Sequence, residues 1–85
     1  MAEVVIYTKA YCPYCVRAIS LLEQKQVAYQ EVKIDQQPER RAEMIEKANG
    51  RSTVPQIFIG TTHIGGCDEM FALQAAGKLD SLLTA

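Results

Sequence analysis

Two cysteines separated by two residues, Cys12 and Cys15, are the side chains of this sequence best suited to chemistry. The chain has 3 cysteines in 85 residues, whereas a disulfide-stabilised secreted scaffold normally has an even and denser set. In a reducing compartment, a Cys-x-x-Cys pair is more often redox-active or metal-binding than structural. The motif therefore predicts either thiol–disulfide exchange or metal binding.

The residues around this pair predict different roles for its two thiols. An apolar run of strand length ends shortly before Cys12, and Pro13 suits the first turn of a helix. The free N–H groups at a helix N-terminus favour the thiolate, which is the nucleophilic form. Because the helix dipole supplies only ~0.3–2 kcal/mol, we expect the N–H groups of Tyr14 and Cys15 and the cation of Lys9 to add to it. Cys15, one turn into the helix, is then placed to attack a mixed disulfide formed on Cys12.

Zinc binding is the alternative interpretation of the pair, and His63 and Cys67 would have to complete the site. Zinc sites usually contain a second close pair of ligands, and no cysteine or histidine follows Cys67 at two to four residues. His63 alone is better interpreted as a solvent-facing strand residue. The redox interpretation is favoured, the more so because the pair follows the first strand of a βαβ pattern. We therefore expect no metal.

The hydrophobic pattern predicts one α/β domain that covers residues 1–85. A continuous β-branched run at the N-terminus predicts a strand in the interior of a sheet, and the next helix and strand complete a right-handed βαβ unit. A hairpin and a third helix follow, so the order is β-α-β-α-β-β-α. A four-stranded mixed sheet flanked by helices is the economical packing. Strands are predicted at 3–8, 27–34, 56–59 and 62–64, a third helix at 68–76 and a last helical turn at 78–83.

The tripeptide Thr53-Val54-Pro55 is a second candidate for the site. Proline cannot donate to a sheet ladder, so it marks an edge or a bend. If the bond before Pro55 is cis, the backbone N–H and C=O of Val54 face outward, where an extended peptide could pair with them. An ordinary proline at the start of a strand is the alternative.

A third candidate is the segment Gly65-Gly66-Cys67-Asp68 before the third helix. The N–H groups of a helix N-terminus can bind an anion, and glycines allow close approach, although simple helix capping by Asp68 is the alternative. Taken together, the patches match the groups of glutathione. One carboxylate would be bound by Lys9, the peptide by Val54, and the γ-glutamyl end by Cys67 and Asp68.

Composition and charge exclude several classes of partner. The formal net charge is -1, which gives no reason to expect nucleic acid or an anionic membrane as partner. The apolar run at the N-terminus is too short for a secretory signal, and none approaches the ~20 residues of a membrane span. We therefore expect a cytoplasmic protein, and a monomer.

These stretches together resemble the glutaredoxin family, specifically its short dithiol members of bacterial type. The resemblance spans nearly the whole chain, through residues 6–9, 12–15, 53–59 and 63–68. It implies a thioredoxin fold and a cis bond before Pro55. It also implies that the following residues bind glutathione: Lys9, Tyr14, Thr53, Val54, Pro55, Cys67 and Asp68. Cys67 is then a small residue at a helix start that contributes its N–H.

One position departs from the family pattern. Many glutaredoxins have aspartate directly after the position of Asp68, whereas this chain has Glu69, so recognition of the γ-glutamyl group is not assigned to that side chain. The residue that binds the other carboxylate is left open between Gln37 and Arg41.

The resemblance implies a glutathione-disulfide oxidoreductase that reduces protein disulfides, removes glutathione from proteins and donates electrons to reductases such as ribonucleotide reductase. Cys12 would attack and Cys15 would resolve. Two alternatives are a redoxin that depends on thioredoxin reductase and a module that binds a metal or an iron–sulfur cluster.

Overall fold

The first strand, β1 (Val4–Thr8), lies in the interior of the sheet in the computed structural model, which describes residues 3–84. Its β-branched and aromatic residues suit a strand that is covered on both faces. β2 (Gln30–Lys33) pairs with it in parallel and β3 (Gln56–Ile59) pairs with it antiparallel, while β4 (Thr62–Gly65) pairs antiparallel with β3. The strand order β2-β1-β3-β4 confirms the predicted four-stranded mixed sheet.

Helices cover both faces of this sheet, as predicted. The helices α1 (Pro13–Gln24), α3 (Cys67–Ala75) and α4 (Leu79–Leu83) contribute to one core, and α2 (Glu39–Lys47) contributes to the other. The first core consists of Val4, Ile6, Ala18, Leu21, Leu22, Ile57, Ile59, Met70, Leu79 and Leu83. The second consists of Tyr7, Val32, Ile34, Met44, Ala48 and Phe58. Within residues 3–84, no helix has the length and hydrophobicity that crossing a bilayer requires.

The second strand begins at Gln30, three residues later than the predicted start at residue 27. The end of α1 explains the difference. Gln26 adopts a left-handed conformation (φ 56°), and the N–H of Val27 bonds to the carbonyl of Leu22 at 3.2 Å. This is the closing bond of a Schellman motif, so Val27 completes the helix end instead of entering the sheet.

The third helix begins at Cys67, one residue before the predicted start. Gly66 is its N-cap, and the Oε1 atom of Glu69 accepts a bond from the Gly66 N–H at 2.6 Å. Asp68 therefore lies in the first turn and does not cap the helix. Position 65, just before the N-cap, favours glycine. Gly65 has φ 113°, and a Cβ there would lie 2.6 Å from the same Glu69 oxygen.

Candidate active site

Cys12 occupies the N-cap position of α1, with extended backbone (φ -114°, ψ 100°). An N-cap side chain accepts a bond from an N–H of the first helical turn, and here the Cys12 sulfur accepts one from the N–H of Cys15 at 3.2 Å. The thiol also faces the carbonyl oxygen of Val54 at 3.9 Å. Tyr14, the second predicted donor, does not bond to this sulfur within the described residues. An N–H directed at the sulfur favours the thiolate, so the geometry suits a nucleophile.

Cys15 is the more deeply buried thiol of the pair, with 3% of its surface exposed against 8% for Cys12. Burial raises the pKa of Cys15 to about 12, with smaller contributions from the Cys12 sulfur and the Glu31 carboxylate, while the backbone of Lys9 opposes the shift. At neutral pH this group is therefore a protonated thiol. It suits a residue that acts after Cys12 has reacted.

Two cavities share three lining residues, and Cys12 lines the larger of the two. We call them together the active-site groove. One, of about 440 Å³, is lined by Lys9, Cys12 and Arg41 together with the residues that it shares with the second cavity. The second, of about 130 Å³, is lined by Pro55, Cys67 and Asp68 among others. The shared residues are Tyr14, Thr53 and Val54. The structure thus brings together in one groove the residues predicted to bind glutathione: Lys9, Tyr14, Thr53, Val54, Pro55, Cys67 and Asp68.

The two ends of the groove carry different charges, although Arg51 also lines the end at α3, where it is paired with Glu69. Lys9 and Arg41 line one end, whereas Gln37 is not among the residues that line it. The other end is formed by the start of α3, where Asp68 is exposed. Glu69 lines this end too, but its Oε1 atom is already bonded to the Gly66 N–H and, at 2.9 Å, to Arg51. These two contacts, the Gly66 N–H first, lower the pKa of Glu69.

His63 is not the solvent-facing residue that the sequence predicted. It is half-buried, its ring stacks on Phe58 with centroids 4.9 Å apart, and its Nε2 lies 2.7 Å from the Oε1 atom of Gln56. Burial, followed by the charge of Arg51, lowers its pKa. The prediction was wrong because the pairing of β4 with β3 places His63 against Phe58 and beside the buried amide of Gln56. Gln56 itself was missed, although a glutamine that opens an otherwise apolar strand is a visible anomaly.

The metal alternative gains no support from this arrangement. Within residues 3–84, no three His, Cys, Asp or Glu side chains are grouped as a metal ion would require. The zinc tetrad considered above needed His63, whose Nε2 is bonded to Gln56.

Comparison with known proteins decides the family. The model of the glutaredoxin family matches residues 4–64. The chain belongs to the glutaredoxin family. It is 60% identical to a glutaredoxin of Pseudomonas aeruginosa over 85 residues, with all of both chains covered. It is 59% identical to glutaredoxin 3 of Escherichia coli (strain K12) over 83 residues, which cover 98% of this chain and 99% of that one. The crystal structure of a buckwheat glutaredoxin–glutathione complex superimposes with a TM-score of 0.88 at 37% identity, over 98% of this chain and 77% of that one.

These comparisons confirm the thioredoxin fold and a thiol–disulfide oxidoreductase of bacterial glutaredoxin type. The bond between Val54 and Pro55 is cis, as the resemblance implied. All three cysteines of this glutaredoxin are free in the structure. The Cys12–Cys15 pair fits a redox centre.

Proposed function

We propose that this glutaredoxin uses glutathione as reductant and co-substrate, with Cys12 as the attacking thiolate and Cys15 as the resolving thiol. The observation that carries the proposal is the charge pattern of the active-site groove. Two cations, Lys9 and Arg41, lie at one end, and the start of α3 with the exposed carboxylate of Asp68 lies at the other. Glutathione has a single carboxylate at its glycine end, and both a carboxylate and an ammonium at its γ-glutamyl end.

The charges of the groove favour one orientation of glutathione. Lys9 and Arg41 would bind the glycine carboxylate, which favours Arg41 over Gln37 as the residue left open above. The backbone of Val54 would pair with the peptide in the manner of an added strand. The N–H groups of Cys67 and Asp68 would bind the second carboxylate, because a helix N-terminus attracts anions, and the Asp68 carboxylate would bind the ammonium.

For a glutathionylated protein, the reaction needs only Cys12. Its thiolate attacks the glutathione sulfur, an S–S bond forms between the two, and the bond to the protein breaks, releasing the protein as a thiolate. A second glutathione thiolate then attacks the adduct, which yields oxidised glutathione and restores the Cys12 thiolate. The N–H of Cys15 stabilises that thiolate each time it is released.

For a protein disulfide, both cysteines react. Cys12 attacks one sulfur, Cys15 loses its proton and attacks the Cys12 sulfur, and the substrate leaves with two thiols. Glutathione then reduces the Cys12–Cys15 disulfide. Glutaredoxin potentials of about -200 to -230 mV lie near the cytosolic glutathione poise, so turnover is feasible in both directions. We further propose that the protein is cytoplasmic and monomeric, and that its partners are disulfide-bearing reductases such as ribonucleotide reductase.

A coupled assay separates this function from a redoxin that depends on thioredoxin reductase. The protein is given a glutathione mixed disulfide with either glutathione, glutathione reductase and NADPH, or thioredoxin reductase and NADPH. We expect turnover with the first set. Turnover with the second set alone would contradict the proposal.

A charge substitution tests the groove itself. Arg41→Met removes a cation from the glycine end, and we expect the KM for the glutathione mixed disulfide to rise by roughly three- to tenfold. Lys47→Met is the matched control, because Lys47 lies on the same helix but does not line the groove. Equal KM values for the two variants would contradict the assigned orientation.

A further inference from the structure

Gln56 is a polar side chain with 0% of its surface exposed, at the start of β3, where the strand residues that follow are apolar. A buried amide without partners costs ~1–3 kcal/mol, but this amide is fully engaged. Its Nε2 donates to the Thr53 carbonyl at 3.0 Å and approaches the Thr53 hydroxyl at 3.3 Å. Its Oε1 lies 2.7 Å from the Nε2 of His63.

The chemistry of these partners fixes the direction of the bonds. A carbonyl oxygen only accepts, so the amide NH₂ group of Gln56 must face Thr53. The Oε1 atom therefore faces His63, whose Nε2 must carry the ring proton and donate it. Stacking on Phe58 holds the plane of the imidazole. The result is a directed chain of hydrogen bonds from His63 through Gln56 to Thr53, which we call the buried relay.

The buried relay ends at the wall of the active-site groove. Thr53 lines both cavities, and the next residue, Val54, presents its carbonyl 3.9 Å from the Cys12 sulfur. Residues 51–55 form no regular helix or strand, so no ladder of backbone bonds fixes their position. The packing of Val54 on the second core and the side-chain bonds to this segment therefore together hold the Val54 backbone in place.

We propose that Gln56 and His63 are positioning residues, which hold Thr53 and thereby the Val54 backbone at the distance from Cys12 that a bound glutathione peptide requires. This inference rests on the proposed function. Neither side chain touches the reacting sulfur, whose N–H donor comes from the backbone of Cys15. Loss of the relay should therefore weaken substrate binding without slowing the chemical step.

The decisive variant is Gln56→Met, which keeps the length of the side chain and removes its hydrogen bonds. We expect the KM for a glutathione mixed disulfide to rise by roughly five- to tenfold, with kcat and the rate of Cys12 alkylation by iodoacetamide within about twofold of wild type. Ile59→Val is the control, because Ile59 is buried in the same strand but points into the first core, on the other face of the sheet from Gln56 and Phe58. It should lose comparable stability and keep the wild-type KM.

A second variant, His63→Leu, removes only the outer end of the relay and should raise the KM by about two- to threefold. Added to Gln56→Met, it should raise the KM no further, because both residues act through one chain. An unchanged KM in Gln56→Met would overturn the inference, as would additive effects in the double variant. If Gln56→Met does not fold, the KM of His63→Leu decides alone.

Backbone relaxation measured by NMR separates failure of this inference from failure of the proposed function. A wild-type protein that is inactive on glutathione mixed disulfides would overturn the proposed function. The relay would still predict a lower order parameter for the Val54 amide in Gln56→Met, or in His63→Leu if the former is unfolded, than in wild type. Equal order parameters would overturn the positioning role.

Discussion

Replacing Cys15 by serine should separate the two routes of this glutaredoxin. The substitution changes one buried atom, and the hydrogen bond that Cys15 gives to Cys12 survives because its donor is a backbone N–H. We therefore expect removal of glutathione from mixed disulfides to stay within about twofold of wild type. Reduction of a protein disulfide should fall by at least about tenfold at about 1 mM glutathione.

The magnitude follows from the number of thiolates available. A thiol with a pKa of about 12 is ionised in about one molecule in 10⁵ at pH 7. This fraction is a lower bound for the resolving step, because the Cys12 sulfur no longer raises the pKa of Cys15 once it is in a mixed disulfide. Glutathione at about 1 mM supplies about 3 × 10⁻⁵ M thiolate, if its pKa is near 8.5. The more basic thiolate of Cys15 is about 30-fold more nucleophilic, from a Brønsted slope near 0.45. With an effective molarity of about 0.1 M, Cys15 would attack the mixed disulfide as fast as free glutathione at about 1 mM does. Well-oriented intramolecular groups reach effective molarities of about 10⁵ M, so attack by Cys15 should be the faster route.

The assay is a single-turnover experiment without glutathione. Fully reduced protein is mixed with an excess of a protein disulfide, and release of the second substrate thiol is followed with time. Wild type should release both thiols. Release of the second, timed from formation of the mixed disulfide, should become about tenfold faster per pH unit between pH 6 and 8, because the thiolate of Cys15 is the attacking group in that step. Cys15→Ser should stop at a mixed disulfide on Cys12 that mass spectrometry detects.

Two results would refute this reasoning. If Cys15→Ser lost both activities equally, Cys15 would be needed for the first attack and not only for resolution. If wild type released the second thiol at the same rate at pH 6 and pH 8, burial would not be what controls ionisation of Cys15. Retained activity on glutathione mixed disulfides serves as the internal control for folding.

Three further predictions concern catalysis and stability. Cys12→Ser should reduce both activities below about 5% of wild type, and higher turnover would contradict its role as nucleophile. Because burial lowers the pKa of His63 below 6.5, the unfolded state binds this proton more tightly, so stability should fall as pH drops through 6.5. In urea titrations at pH 7.5 and 5.5, His63→Gln should lose less unfolding free energy between the two pH values than wild type does. An equal loss in the two proteins would contradict this role of His63. Tyr7→Phe removes the hydroxyl that lowers the pKa of Glu43 and should cost ~0.5–1.5 kcal/mol at pH 7. The difference in unfolding free energy between Tyr7→Phe and wild type should narrow below pH 4.5, where the Glu43 carboxylate becomes protonated. A difference that stays constant with pH would show that the Tyr7 hydroxyl does not act through Glu43.

The sequence predicted those parts of the fold and groove that depend on local chemistry. Pro13 at the first helical position placed Cys12 at a helix N-terminus, and the structure confirms Cys12 as the N-cap. The β-branched run within residues 3–8 predicted an interior strand, because such a run buries both faces. Once these elements are placed, the connections between them bring Thr53 and Asp68 to the same groove without further information.

The missed features depend on contacts between residues that are distant in the sequence or on single backbone angles. The left-handed conformation of Gln26, which delays β2, has no marker as clear as glycine. The burial of His63 depends on its pairing with Phe58 across β3 and β4, at a point where the register shifts. The partner of Gln56 is a carbonyl in a loop. No periodicity of apolar residues reports any of these, because each concerns a single backbone angle or the partners of a single polar side chain.

A Cys-x-x-Cys motif is symmetric in sequence, and the helix that begins inside it removes that symmetry. The first cysteine lies where backbone N–H groups are free, so its sulfur receives the N–H of the second. The second lies one turn inside, where burial raises its pKa to about 12. The same side chain is thus a nucleophile at one position and a latent thiol at the other. Since the difference comes from backbone geometry and burial, exchanging neighbouring side chains should alter substrate binding more readily than the order in which the two sulfurs react.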